Sequence, residues 1–190
     1  RHALFILLRC CLGLAMLLPG AAPAAPTDEV QALVNRGQFK EAYELVRERC
    51  PLPSACGRVC QHPCEDSCNR GEIDQAVSIR DLKRFAADYV DQNPDQYPPV
   101  KAPAVKMGTK VAVIGGGPAG LTAAYDLTGL GYSVTVFEAQ PHLGGMLRYG
   151  IPSYRLPKDV LDREIKYILD LGVEAKTSAR VSDPQSLFDA

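Results

Sequence analysis

The chain has 190 residues, 21 Lys+Arg against 22 Asp+Glu, and 46% hydrophobic content, a balance that excludes a charged disordered tail, a collagen-like repeat and a broad basic surface for nucleic acid. Its seven Cys fall well short of the ~8–10% of a disulfide scaffold, yet five of them lie between Cys50 and Cys68, and that local excess needs a chemical cause. Length predicts one to two domains, and a chain running from Arg1 to Ala190 with no tail is expected to be a piece of a longer one.

Residues 1–26 stand apart as an apolar, signal-like or aberrant segment. The run from Ala3 to Leu18 is apolar except for Arg9, and a Pro/Ala-rich stretch follows to Pro26. It resembles a secretory signal with Ala22-Pro23-Ala24 as the cleavage site. A buried helix, or stray sequence at a chain edge, explains it equally well. A membrane span is not expected, because the run is shorter than the ~20 residues required and Arg9 would cost about 2.5–3.5 kcal/mol at the bilayer centre.

Residues 27–92 read as a small helical module. Thr27 is placed to cap a helix with Val30, Leu33 and Val34 on one face, and Gly37 closes it. A second helix carries Phe39, Ala42, Tyr43 and Val46, and Pro51 and Pro53 are expected to end the pair. The cysteine-rich stretch follows as loop and short turns. Ser78 and Asp81 form a capping pair for a third helix, with Ile79, Leu82, Phe85, Ala86, Tyr89 and Val90 inward. From Thr27 to Val100 there are nine basic and thirteen acidic residues, so the module offers no cationic face to phosphate. Residues 93–109, with Pro94, Pro98, Pro99 and Pro103, are too proline-rich for a helix or a central strand and read as a linker.

From Lys110 the pattern changes to alternating strand and helix. Val111–Ile114 is a fully apolar strand, Pro118 to Leu130 a helix, and Ser133–Glu138 a second strand. Pro157 starts another helix with Val160, Leu161, Ile165, Ile168 and Leu169 inward, Gly172 stops it, and Val173–Thr177 is a third strand. Such alternation implies a parallel sheet. No internal repeat is present.

Cys56, Cys60, Cys64 and Cys68 follow a C-x3-C-x3-C-x3-C spacing. On one continuous helix each step would drift by about 40° and spread the sulfurs too widely for one metal, and Gly57 and Pro63 oppose such a helix. The thiols are expected on tight turns that fold back. Clustered thiolates select zinc or iron–sulfur centres, with a disulfide pair or inert buried thiols as the alternatives, and spacing does not choose between the two metals. His62 reads as a solvent-facing loop residue and Cys50 as structural.

Gly115-Gly116-Gly117-Pro118-Ala119-Gly120 is a G-x-G-x-x-G motif directly after a strand and opening a helix. Gly115 permits the tight turn, Gly117 lets backbone approach a pyrophosphate, and Gly120 lets helix and strand pack closely. The phosphates meet the helix N-terminus, so no Lys is needed, and without a G-K-[ST] ending no Walker-type ATP site is expected. Glu138, eighteen residues beyond Gly120, ends the next strand, where a carboxylate accepts bonds from ribose hydroxyls and repels a 2′-phosphate, favouring FAD or NAD.

The phrase PLPSACGRVCQHPCEDSCNRGEIDQAVSIRDLKRFAADY resembles the N-terminal iron–sulfur module of the NADPH-dependent glutamate synthase small subunit and of dihydropyrimidine dehydrogenase. The resemblance implies 4Fe-4S clusters, with Cys60 and Cys64 serving one and Cys68 another. This chain departs from the pattern upstream, where the family's further cysteines are replaced by the apolar segment bearing Cys10 and Cys11. It also departs at Lys83, which stands where one branch uses a glutamine ligand. Cys56 is then the nearest substitute donor, which gives a single rearranged cluster on Cys56, Cys60, Cys64 and Cys68 as the expectation. The run PHLGGMLRYGIPSYRLPKDVLDREIKYILDLGV resembles the FAD-binding half of the same families. By that resemblance Gly144, Gly145 and Met146 lie near the ribityl-phosphate of FAD, Arg155 contacts the cofactor, and Val181 sits at the adenine end. Arg148 and Lys158 read equally well as cofactor contacts or as ordinary solvated charges.

The implied fold is the first part of an α/β Rossmann-like FAD-binding domain (110–190) preceded by a small all-α iron–sulfur domain. The implied function is an FAD- and 4Fe-4S-dependent oxidoreductase module, passing electrons between NAD(P)H and a partner subunit or domain in the cytoplasm. NAD(P)H is expected to bind only with a further downstream domain. No residue is a candidate general acid, base or nucleophile. Two other classes stay open: a non-catalytic interaction module with structural zinc, and a small NAD-dependent enzyme.

Overall fold

The computed structural model describes residues 4–6, 27–94 and 107–187, which divide into a helical unit (27–94) and an α/β unit (4–6 with 107–187). The signal-like reading falls mainly outside the described residues, as does most of the expected linker, at 95–106.

In the helical unit, α1 (Thr27–Asn35) and α2 (Phe39–Arg47) are joined at Gly37. Its φ of +73° suits glycine, and the turn is a Schellman motif. The Gln38 N–H donates to Leu33 O at 2.9 Å and the Gly37 N–H to Val34 O at 3.0 Å, satisfying carbonyls that the helix end leaves open. Val30, Ala42, Val46 and, from α5 (Ile79–Gln92), Ala86 form the core, with Leu33, Val34, Tyr43, Leu45 and Cys50 packed around it. Full burial of each Val contributes about 1.5–3 kcal/mol.

The cysteine row is more helical than its sequence suggests. Pro53 does not end a helix but begins one, occupying the first turn of α3 (Pro53–Val59), where its missing N–H costs nothing. A short α4 (Pro63–Asp66) and a 3-10 turn (Asn69–Glu72) follow. The expected capping pair is not formed, since Ser78 makes no side-chain cap bond. Phe85, expected inward, is 47% exposed, while Ala87 is fully buried. The reason is that α5 packs on both α2 and α3, so its buried surface is wider than one stripe. Arg58 on α3 donates to Asp88 at 2.6 Å and the Ser54 hydroxyl to Asp91 at 3.3 Å. Phe85 instead stands edge-on to Phe39, with centroids 5.1 Å apart.

The α/β unit is a parallel sheet in the order β1-β2-β3-β4, made of β1 (Leu4–Ile6), β2 (Lys110–Ile114), β3 (Ser133–Phe137) and β4 (Glu174–Lys176). Three residues of the apolar N-terminal segment thus pair with β2, Phe5 standing opposite Ala112. Helix α6 (Pro118–Gly129) connects β2 to β3, and α7 (Met146–Tyr149) and α8 (Lys158–Asp170) lie between β3 and β4. Val111, Val113, Val134 and Val136 alternate inward against Leu121, Leu161 and Ile168, all 2% exposed or less.

Candidate functional site

The strand β2 delivers the chain to the glycine loop. Gly115 has φ +101°, which lets the backbone turn away from the sheet while its N–H donates to Phe137 O at 2.8 Å. A Cβ added at Gly120 would lie 1.9 Å from Gly115 O and 3.3 Å from Val113 Cγ1, so α6 reaches the strand only because this residue is glycine. Gly117 precedes α6, Pro118 occupies its first turn, Ala119 follows, and no side chain caps the helix. Its leading N–H groups are therefore left for an anion.

Glu138 is 8% exposed. One carboxylate oxygen accepts from the Gly116 N–H and the other from the Gln140 N–H, each at 2.7 Å. These bonds compensate the burial of the charge and fix the carboxylate beside the phosphate loop, at the end of β3.

A second glycine turn lies over the first. The Gly144 N–H donates to Gly116 O at 2.7 Å, and Leu143 sits where a Cβ on Gly116 would come 2.3 Å from its Cδ2. Gly144 (φ +116°) and Gly145 (φ +50°) use left-handed conformations. Met146, the first residue of α7, is 69% exposed. Arg155 is exposed and Val181 half-buried. Arg148 and Lys158, open in the sequence between cofactor contacts and solvated charges, have partners within the chain. The Arg148 Nε donates to Leu143 O at 2.5 Å and its guanidinium pairs with Asp162. Lys158 donates to Leu147 O at 3.1 Å and Ile151 O at 2.6 Å. Backbone carbonyls carry no side-chain signature, which hid these partners from the sequence.

In the helical unit none of the described cysteines is in a disulfide. Lys83 donates to Cys56 Sγ at 3.3 Å, and the His62 N–H donates to Cys60 Sγ at 3.3 Å. Hydrogen bonding from Cys50, together with the charge of Lys83 and bonds from Lys83 and Cys60, outweighs burial and lowers the Cys56 thiol from 9.0 to about 5. Burial pulls Lys83 down, but the Cys56 charge, followed by Cys50, carries it above its ordinary value. Cys50 therefore joins the Cys56–Cys60 end of the row. Cys64, on α4, is exposed, and Cys68 precedes the 3-10 turn. His62 is half-buried at the start of α4 with φ +50°. Among the described residues no three Cys, His, Asp or Glu side chains gather as a single bare ion would require. Cys56, Cys60, Cys64 and Cys68 are soft thiol donors of the kind that iron–sulfur centres use.

Residues 26–94 match the family model of dihydropyrimidine dehydrogenase domain II, 4Fe-4S cluster, and residues 113–180 match that of the NAD(P)-binding Rossmann-like domain. The chain is 45% identical to the NADP(+)-dependent formate dehydrogenase subunit beta of Moorella thermoacetica over 167 residues, 78% of this chain and 24% of that protein. It is 45% identical over 151 residues to the NAD-dependent dihydropyrimidine dehydrogenase subunit PreT of Salmonella typhimurium, 78% of this chain and 36% of that one. It is 41% identical over 149 residues to the glutamate synthase [NADPH] small chain of Bacillus subtilis, 78% of this chain and 30% of that one. The chain spans about a quarter to a third of the length of these relatives. It carries a helical domain of the 4Fe-4S type followed by a Rossmann-like, NAD(P)-binding-type domain with a parallel sheet, and the homologues are redox enzyme subunits.

Proposed function

We propose that this chain is the electron-entry region of a flavin and iron–sulfur oxidoreductase, exchanging electrons between a nicotinamide cofactor and a partner subunit or domain. The observation that carries the reading is the coupling of two features in one chain: a strand–glycine loop–helix with a fixed acidic residue at 138, and a row of cysteines outside any disulfide in a 4Fe-4S-type domain.

FAD is the proposed occupant of the glycine loop. Gly115, Gly116, Gly117, Pro118, Ala119 and Gly120 take its pyrophosphate, and Glu138 takes its adenosine ribose. Gly144, Gly145 and Met146 adjoin the ribityl-phosphate, Arg155 contacts the cofactor, and Val181 borders the adenine end. Flavin supplies the conversion between two-electron hydride chemistry and single electrons. The chain's own part is to bind and orient: α6 directs N–H groups at the diphosphate, and Glu138 disfavours a 2′-phosphate by charge repulsion.

Cys56, Cys60, Cys64 and Cys68 are the proposed thiolate donors to a 4Fe-4S centre, and Lys83 adds positive charge beside Cys56. The relatives named as beta subunits or small chains support a partner subunit. Among the described residues no helix is long and apolar enough to cross a membrane. The cluster of reduced thiols favours the cytoplasm.

The test is anaerobic purification followed by absorption spectroscopy and by iron, sulfide and flavin analysis. Flavin bands with a broad shoulder that bleaches under dithionite are expected. A colourless chain containing zinc, or one that binds NAD but not FAD, overturns the reading.

A further inference from the structure

The glycine turn at 144–145 carries no side chain of its own to hold it, yet it lies in direct contact with the phosphate loop. A Cβ on Gly145 would stand 2.8 Å from Gly117 Cα, and the Gly144 N–H already bonds Gly116 O at 2.7 Å. Whatever fixes this turn therefore fixes the loop beneath it. Two cations hold this segment, Arg148 from within α7 and Lys158 from the start of α8. Arg148, whose side chain is 15% exposed, bonds Leu143 O just before the turn at 2.5 Å and also pairs with Asp162 on α8. Lys158, at the start of α8, bonds Leu147 O and Ile151 O, which bracket the end of α7. Arg148 reaches α8 through the Asp162 carboxylate and Lys158 reaches back from α8 to two backbone oxygens, so each ties the α7 segment to α8, which is anchored in the core by Val160, Leu161, Ile165 and Ile168.

We propose that Arg148 and Lys158 are positioning residues of the dinucleotide site, clamping the Gly144–Gly145 turn onto Gly116–Gly117 so that the phosphate-binding backbone is held in shape before the cofactor arrives. The proposal rests on reading this loop as a dinucleotide pocket. Preorganised N–H groups bind without the cost of being ordered on binding, and a mobile turn would forfeit that gain.

Hydrogen exchange of the ligand-free chain, paired with titration of FAD by flavin fluorescence and visible circular dichroism, tests it. In Arg148→Met, exchange is expected to rise in 115–120 as well as in 143–150, and FAD affinity to fall at least tenfold with a changed dichroism of bound flavin. Arg148→Lys, which keeps one donor, should recover most of the affinity. Lys158→Met should act in the same direction, while Lys166→Met, at an exposed α8 cation paired with Asp170 one turn along the same helix, should change neither readout. Unchanged exchange in 115–120, or affinity within twofold of the parent, overturns the clamp. A parent chain that binds neither FAD nor NADH overturns the pocket reading instead, and exchange alone then decides the clamp.

Discussion

At the scale of single residues, the two sites hold their charges in opposite ways. Glu138 is held by backbone N–H donors on both oxygens. Replacement by Gln leaves one N–H facing an amide NH2, a loss of about 1–3 kcal/mol for an unsatisfied buried donor. Glu138→Gln should lower the urea midpoint by that margin and weaken FAD binding at least tenfold in a fluorescence titration. Cys56 is an anion kept by neighbouring side chains. Its thiol value, lowered from 9.0 to about 5, is depressed by folding. The thiolate thus stabilises the iron-free chain fully above its unfolded value, and this contribution declines with falling pH and is gone below the folded value. Alkylation of Cys56 by iodoacetamide, followed by peptide mass spectrometry in iron-free protein, should show a midpoint near 5. Lys83→Gln should raise that midpoint. An unchanged midpoint would assign the shift to Cys50 instead.

At the scale of elements, close helix contacts depend on glycine at two positions. A Cβ on Gly57 of α3 would meet Arg84 Cβ at 2.7 Å and Arg84 Cα at 2.9 Å, and the backbone atom of α5 cannot rotate away. Gly57→Ala gains up to about 1 kcal/mol in helix propensity but forces the helices apart at a typical cost of about 1–3 kcal/mol. A net loss of stability in denaturant unfolding is expected, while a stabilised variant would mean that α3 and α5 are not in contact. Gly120→Ala is more severe, because its Cβ would overlap Gly115 O at 1.9 Å, and α6 would be pushed off β2. That variant should bind no FAD and expose the sheet, read as increased dye binding. Element types were legible wherever period and punctuation agreed, as at Gly37 and across 110–130. They were less so in the cysteine row, where Pro53 opens a helix rather than closing the preceding pair, proline being compatible with either role.

At the scale of the whole molecule, the helical and α/β units each bury their own core, one around Val30, Val46 and Ala86, the other around Leu121, Leu161 and Val136. Stability and cofactor loading should therefore separate. Removing iron by anaerobic chelation is expected to lower the unfolding temperature of the helical unit while FAD affinity stays within twofold, as measured by calorimetry and fluorescence titration. A joint loss would show that the two cofactor sites are energetically coupled.

Sequence alone determined what is local and periodic: the strand–glycine loop–helix, the acidic end of β3, the four-cysteine row and the alternation that makes the sheet parallel. Each follows from the spacing of residue types along a few turns of chain. Tertiary structure decided what depends on distant backbone. It tied Arg148 and Lys158 to carbonyl oxygens, brought Cys50 and Lys83 to Cys56, buried Ala87 rather than Phe85, and set Leu4–Ile6 beside β2. The physical reason is common to all four. Periodicity tells which side of an element is apolar, but the partner that meets it, and every bond made to a main-chain oxygen, is chosen only when the elements pack.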